Sequence, residues 1–261
     1  MSPRIPVFRR RTWSAGLLAG ALATGAVAES ALEVPRPDPI ERFTATIHDR
    51  AGAPIGTTTV ESREEPDGSI HLESVSRVGG RTVNFVETRL APIGAGLALR
   101  PLWQRAKTPV GDGPELVVLH VDHARAIATC SLPGEPAFEV PLGAGDRVAN
   151  APMLLLLRPL SAGEVELVRF QMLLCQGWRR LLDVEARRSD VAPGGATEIR
   201  YRFDVGPILS TLLRPFLPDI RVWVRPDAPY AWVGNRVPLP HDGRDVVMVR
   251  DGVDPTPFLA R

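Results

Sequence analysis

The sequence is poor in the residues that announce chemistry. It has only two cysteines, Cys130 and Cys175, and five histidines in 261 residues. Neither cysteine has a base close by in sequence, so neither reads as a nucleophile. There is no Gly-x-Ser-x-Gly elbow, which removes the common exported-esterase pattern. The glycine stretch that suggests phosphate, Gly52-Ala-Pro-Ile-Gly-Thr-Thr-Thr59, lacks the lysine such a loop needs before its Ser or Thr. A β-branched run follows it instead of a helix, so no row of free N–H groups awaits an anion. It reads as the bend of a hairpin, with Pro54 stiffening the turn and the threonines opening a strand. Positive charge is not clustered: 31 Lys and Arg face 30 Asp and Glu. Nucleic acid is therefore not an expected partner. No motif calls for a cofactor.

Long apolar runs are also missing. The richest internal one, Met153-Leu-Leu-Leu-Leu157, is closed at once by Arg158-Pro159, well short of the roughly 20 residues that a membrane helix needs. The N-terminus differs. Arg4, Arg9, Arg10 and Arg11 precede the uncharged run Ala15 to Ala28, and Ala26-Val27-Ala28 places small residues before Glu29. That is the pattern of a secretory signal peptide over residues 1–28. Arg10-Arg11, followed by Thr12 and Trp13, also resembles a twin-arginine signal, although Ser14 stands where leucine is usual. The expected location is periplasmic or secreted, with no membrane span. Cleavage removes four arginines and leaves a slightly acidic chain of about 230 residues, enough for one large β domain or two small ones.

What is present is β pattern. After a proline-rich lead-in at residues 29–42, short runs of Val, Ile, Thr and aromatics are separated by Gly, Pro and Asp. Strands are expected at 43–48, 55–64, 69–78, 81–90, 97–106, 115–121, 126–132, 137–142, 164–174, 178–187, 197–205, 220–225 and 245–250. Pro66-Asp67-Gly68 and Gly79-Gly80 are turns. Thr197 to Val205 alternates cleanly, with Ile199, Tyr201, Phe203 and Val205 on one face and Glu198, Arg200, Arg202 and Asp204 on the other. Several strands of about ten residues exceed the usual five or six. They point to a mainly β fold, an antiparallel curved sheet or open β-barrel, as a single domain over residues 43–261.

Two short apolar segments break the pattern. Asn150 to Leu160 begins with a capping Asn and an early Pro. Gly206 to Leu217 places Ile208, Leu209, Leu212, Leu213 and Phe216 on one helical face, with Pro215 ending it. Each is expected as a short helix that caps an open end of the sheet, or as a lid over an apolar space.

The remaining candidates are few. His120-Val-Asp122-His123 is the one local pair of histidines, but positions 120 and 123 of a strand face opposite sides. Asp122 to Arg125 also reads as a turn that puts His123 in solvent, so no metal site is expected. His48, His71 and His241 read as isolated, exposed or strand-face residues. Glu64-Glu65 is a solvated hairpin end. A glycosidase-like pair of carboxylates far apart in sequence would leave no local trace. Cys130 and Cys175 form a disulfide in an oxidising compartment or stay as two buried thiols; the separation of their Cα atoms decides.

Several stretches together resemble a group of exported Gram-negative proteins classed as domains of unknown function. These are the opening hairpin through Gly52-Ala-Pro-Ile-Gly56, the segment Ala151-Pro-Met-Leu-Leu-Leu-Leu-Arg158, and Ile220-Arg-Val-Trp-Val-Arg-Pro226 with its return at Val237-Pro-Leu-Pro240. The resemblance implies a curved, barrel-like β architecture and no catalytic residue. The first functional expectation is a non-catalytic envelope protein that takes an apolar or lipid-like ligand in the curved sheet, lined by Met153, Leu156, Tyr201, Phe203, Leu209, Leu213 and Trp223. The alternatives are an assembly factor with an envelope protein partner, and a hydrolase with a dispersed site.

Overall fold

The computed structural model describes residues 32–36, 42–96, 98–110, 113, 115–151, 153–175, 180–189, 193–204, 219–239 and 243–259. The segment read as a signal peptide lies outside the described residues. So does the expected helix at 206–217.

The chain folds into one antiparallel sheet. Its first half comprises β1 (Val34–Pro35), β2 (Arg42–His48), β3 (Pro54–Glu64), β4 (Ile70–Val78), β5 (Arg81–Ile93), β6 (Ala98–Pro109), β7 (Leu116–Asp122), β8 (Ile127–Ser131) and β9 (Phe138–Pro141). Two short helices follow, α1 (Met153–Leu156) and α2 (Arg158–Ala162). The second half comprises β10 (Leu167–Leu174), β11 (Arg180–Arg188), β12 (Thr197–Asp204), β13 (Arg221–Val224), β14 (Trp232–Pro238) and β15 (Asp245–Arg250), then a final helical turn α3 (Thr256–Leu259). Most expected strands recur within a few residues. The additions are β1, β14 and α3. Part of the proline-rich lead-in is thus ordered: Val34 pairs with Leu99, and Leu32 and Val34 are buried.

Neighbouring strands run in sequence order from β2 to β9 and from β10 to β15, and β15 then pairs with β2. The order is circular except at one place, between β9 and β10. There the chain inserts α1 and α2 in place of a hairpin. The opening hairpin is built by its sequence. Asp49 accepts hydrogen bonds from the backbone N–H of Ala51 and Ala53, each 2.9 Å, and Gly52 takes a positive φ of 84°. Gly56 serves a different need. A Cβ there would lie 2.0 Å from the Arg77 carbonyl oxygen, so β3 and β4 approach each other where only glycine fits.

The gap between β9 and β10 is a stitched seam. Gln171 of β10 exchanges backbone hydrogen bonds with Arg147 and Ala149, at 2.9 and 2.8 Å. Asn150, expected as a helix cap, instead uses its carboxamide on β10: Nδ2 donates to the Leu173 carbonyl and Oδ1 accepts from the Leu173 N–H, both 3.0 Å. Cys130 of β8 is joined to Cys175, just after β10, by a disulfide with a Cα separation of 5.4 Å. Val117, Leu119, Val121, Ala128, Val148 and Leu173 pack around it.

Gln104 of β6 is the polar centre of this seam and is fully buried. Its Oε1 accepts from the N–H groups of Asn150 (2.7 Å) and Ala151 (3.0 Å). Its Nε2 donates to the Val148 carbonyl at 2.6 Å and to Nε2 of His123 at 2.8 Å. His123 is therefore buried, not in solvent as the turn at Asp122 suggested. The turn forms as expected, with Arg125 N–H donating to Asp122 Oδ1, but it folds the histidine back beneath β6. Burial pushes the His123 imidazole down to about 4, against a smaller opposing pull from Asp122. The neutral ring also matches its partner, because an amide donor facing Nε2 needs that nitrogen unprotonated.

The Cys130–Cys175 bridge closes a stretch of 45 residues, for which chain entropy gives a stabilisation of about 4 kcal/mol. Urea unfolding of Cys130→Ser/Cys175→Ser should show a loss of that order; an unchanged midpoint and slope would contradict it. His123 supplies the pH dependence. An unfolded histidine binds a proton near pH 6.5, whereas the folded one waits until about 4. Between those values the unfolded state holds more protons, so stability falls as pH drops through the window and levels off below it. The full effect is about 3 kcal/mol. Relative to wild type, His123→Gln should lose this slope between pH 6.5 and 4; parallel profiles would refute the assignment.

Candidate functional site: an interior cavity

The curved sheet does not fill its own interior. A cavity of about 620 Å³ lies between the inner face of β3–β7 and the inner face of β10 and β12–β15, with α1 beside it. The two walls differ in chemistry, and strand register explains how. On the first wall three rows run across the strands. Thr58 stands opposite Ser76, and Ser76 opposite Asn84, with Thr108 at the end of the row. Val60, Ser74, Val86, Ala106 and Leu119 form the second row. Ser62, Leu72 and Thr88 form the third.

Hydroxyls on this wall are mostly engaged. Thr58 Oγ1 and Ser76 Oγ share a hydrogen bond of 2.9 Å, Thr88 Oγ1 donates to the Trp103 carbonyl at 2.7 Å, and Thr108 Oγ1 donates to Asn84 Oδ1 at 3.4 Å. Paired hydroxyls are cheap to bury, which lets a polar row sit inside a barrel-like sheet.

The second wall is apolar and aromatic. Met172 and Leu174 of β10, Tyr201 and Phe203 of β12, and Val222 and Val224 of β13 face the cavity. Trp232 also faces it and stacks on Phe43, ring centroids 5.1 Å apart. Phe170 packs edge-on against Tyr201 at 5.6 Å. Burial pushes the Tyr201 phenol above its usual range, so it stays protonated at any physiological pH. Asn235 of β14 is the polar exception on this wall.

Of the residues expected to line an apolar site, Tyr201 and Phe203 do so. Leu156 packs into the main core cluster and is buried there. Met153 begins α1, and Leu209 and Leu213 lie outside the described residues. Trp223, expected on the lining, is not part of it. Period-two alternation turns it away from Val222 and Val224, to the outer face of β13. There it is fully buried with Val233, Val247, Val249 and Phe258, its ring 4.8 Å from that of Phe258 on α3. The same outer cover explains Glu198, which lies on the face of β12 opposite Tyr201 and Phe203 and is nevertheless fully buried. Its carboxylate accepts from Trp223 Nε1 at 3.0 Å and from Arg200 Nε at 2.6 Å. Burial pushes the Glu198 carboxyl up, but these two hydrogen bonds together with the charges of Arg200 and Arg221 outweigh it and hold it below its usual range.

Groups of the kinds that drive nucleophilic or metal chemistry are sparse among the described lining residues. Among the described residues no histidine lines the cavity, and Cys175, which does, is spent in the disulfide. Among the described lining residues, Ser74 and Ser76 therefore have no imidazole base beside them. Among the described residues no three His, Cys, Asp or Glu side chains form a metal-holding group, and no helix is long and apolar enough to cross a membrane. His120 and His123 do not converge: His123 lies against Gln104, while His120, on β7, is depressed first by burial and then by the charge of Arg105. The hydroxyl rows escaped sequence reasoning. Thr58, Ser74 and Ser76 carry the polar signature of an outer face, and only the curl of the sheet makes it an inner one.

No protein-family model matches the chain, and no curated protein matches it. Among solved structures it is similar to the crystal structure of a β-barrel-like protein of a domain of unknown function, DUF1849, from Brucella abortus. The two are 12% identical with a TM-score of 0.43, and the match covers 82% of this chain and 96% of that one.

Proposed function

We propose that the protein is a non-catalytic binder of an apolar or lipid-like molecule, working in the cell envelope after export. The observation that carries the reading is the cavity of about 620 Å³. Ligand pockets of roughly 300–1,000 Å³ with mainly apolar walls and a few polar groups are the usual form of a small-molecule site. About ten methylenes buried at about 0.8 kcal/mol each would supply some 8 kcal/mol before ordering costs, on the scale of micromolar binding. The export half of the proposal rests on the basic, then Ala-rich, N-terminal pattern ending at Ala28.

The test is native mass spectrometry and solvent extraction of protein purified from the envelope fraction. An apolar molecule of one chemical class should accompany the wild type. Val86→Trp, which places a large ring in the middle of the first wall, should lose it while keeping the wild-type circular dichroism; Ala106→Phe serves the same end should Val86→Trp fold poorly. Wild-type protein that carries nothing and takes up no apolar probe would sink the proposal.

A further inference from the structure

We infer that the ligand is an amphiphile whose polar part is uncharged, with its tail on the β10–β15 wall and its neutral head on the Thr58–Ser76–Asn84 row. This rests on the ligand-binding reading above and narrows it. Two observations carry it. The first is an unspent set of neutral hydrogen-bonding groups. Asn84 Oδ1 is taken by Thr108, but among the described residues its Nδ2 has no hydrogen-bond partner, and neither end of the Asn235 carboxamide has one. Both side chains line the cavity, one from each wall. Both are part-exposed to that space, so an uncharged polar group of a ligand can take the place of water on them.

The second observation is the absence of a committed counter-charge among the described lining residues. Only Glu73 and Arg158 there carry charge. Glu73 alternates with Leu72 and Ser74 and stands between Glu61 and Glu87 on the other face of the sheet. Arg158 donates Nη1 to the Arg36 carbonyl at 3.2 Å and has further interactions. An anionic head placed on the hydroxyl row would be buried without a cation, a far larger cost than an unpaired amide. An ester, amide or alcohol suits it, since each accepts from an amide N–H and exchanges hydrogen bonds with hydroxyls.

The experiment uses the delipidated, signal-free chain and three probes: monoolein, oleate at pH 8, and N-phenyl-1-naphthylamine. Monoolein should bind about tenfold or more tightly than oleate, the scale of one to two hydrogen bonds. Asn84→Leu should weaken monoolein about tenfold and leave N-phenyl-1-naphthylamine unchanged; Asn235→Leu provides the same reading should Asn84→Leu melt early. Oleate binding as tightly as monoolein, or Asn84→Leu weakening both monoolein and the apolar probe alike, would overturn the neutral-head inference while leaving an apolar site standing. Failure of all three probes to bind would remove the apolar site itself, and the inference with it.

Discussion

One buried carboxamide holds the ends of the sheet together. Strands β9 and β10 do not pair, so the curvature that makes an interior has to be secured some other way. Gln104 does it from the middle of β6. A carboxamide offers two acceptor and two donor positions, and Gln104 places all four on groups at the seam: two on the N–H groups of Asn150 and Ala151, one on the Val148 carbonyl, one on His123. Removing it would orphan several buried groups at once, each worth about 1–3 kcal/mol when left unpaired. The disulfide and Asn150 fasten the same segment from the other side.

With its ends fastened, the sheet has an inner face larger than its side chains fill, and the cavity is the result. The walls divide by strand, the hydroxyls and Asn84 on β3–β6 and the aromatics on β12 and β14. That division gives the space a direction. The main core is continuous with the second wall: Phe43, Tyr201, Phe203 and Trp232 belong to the same cluster as Leu155, Leu156, Leu157 and Leu160, and the outer face of β13–β15 is sealed by Trp223 and Phe258.

Most of this architecture was legible in the sequence because antiparallel strands are local objects. Period-two patterning and turn residues located β3, β4, β5 and β12 within a few residues, and Gly52 with Pro54 marked the first bend. What escaped was non-local. Gln104 and His123 are unremarkable in a strand-and-turn reading and meet only when β6, the Asp122 turn and residues 148–151 converge. The burial of Trp223 and Glu198 is not legible because alternation gives the face of a residue but not what covers that face; here Phe258 of α3 covers Trp223, and Trp223 in turn holds Glu198. β14 was passed over because Gly234 and Pro238 break its apolar run. The polar lining resembled a solvent face, and no periodicity distinguishes hydroxyls turned inward from hydroxyls turned out.

The central claim is a hollow, two-sided interior, and a crystal structure of the protein purified without delipidation tests it most directly. The account predicts elongated electron density between the Tyr201–Phe203 wall and Ser74, its polar end within hydrogen-bonding reach of Asn84. A map in which the side chains of Val86, Met172 and Leu174 close over that space and leave it filled with protein would contradict it.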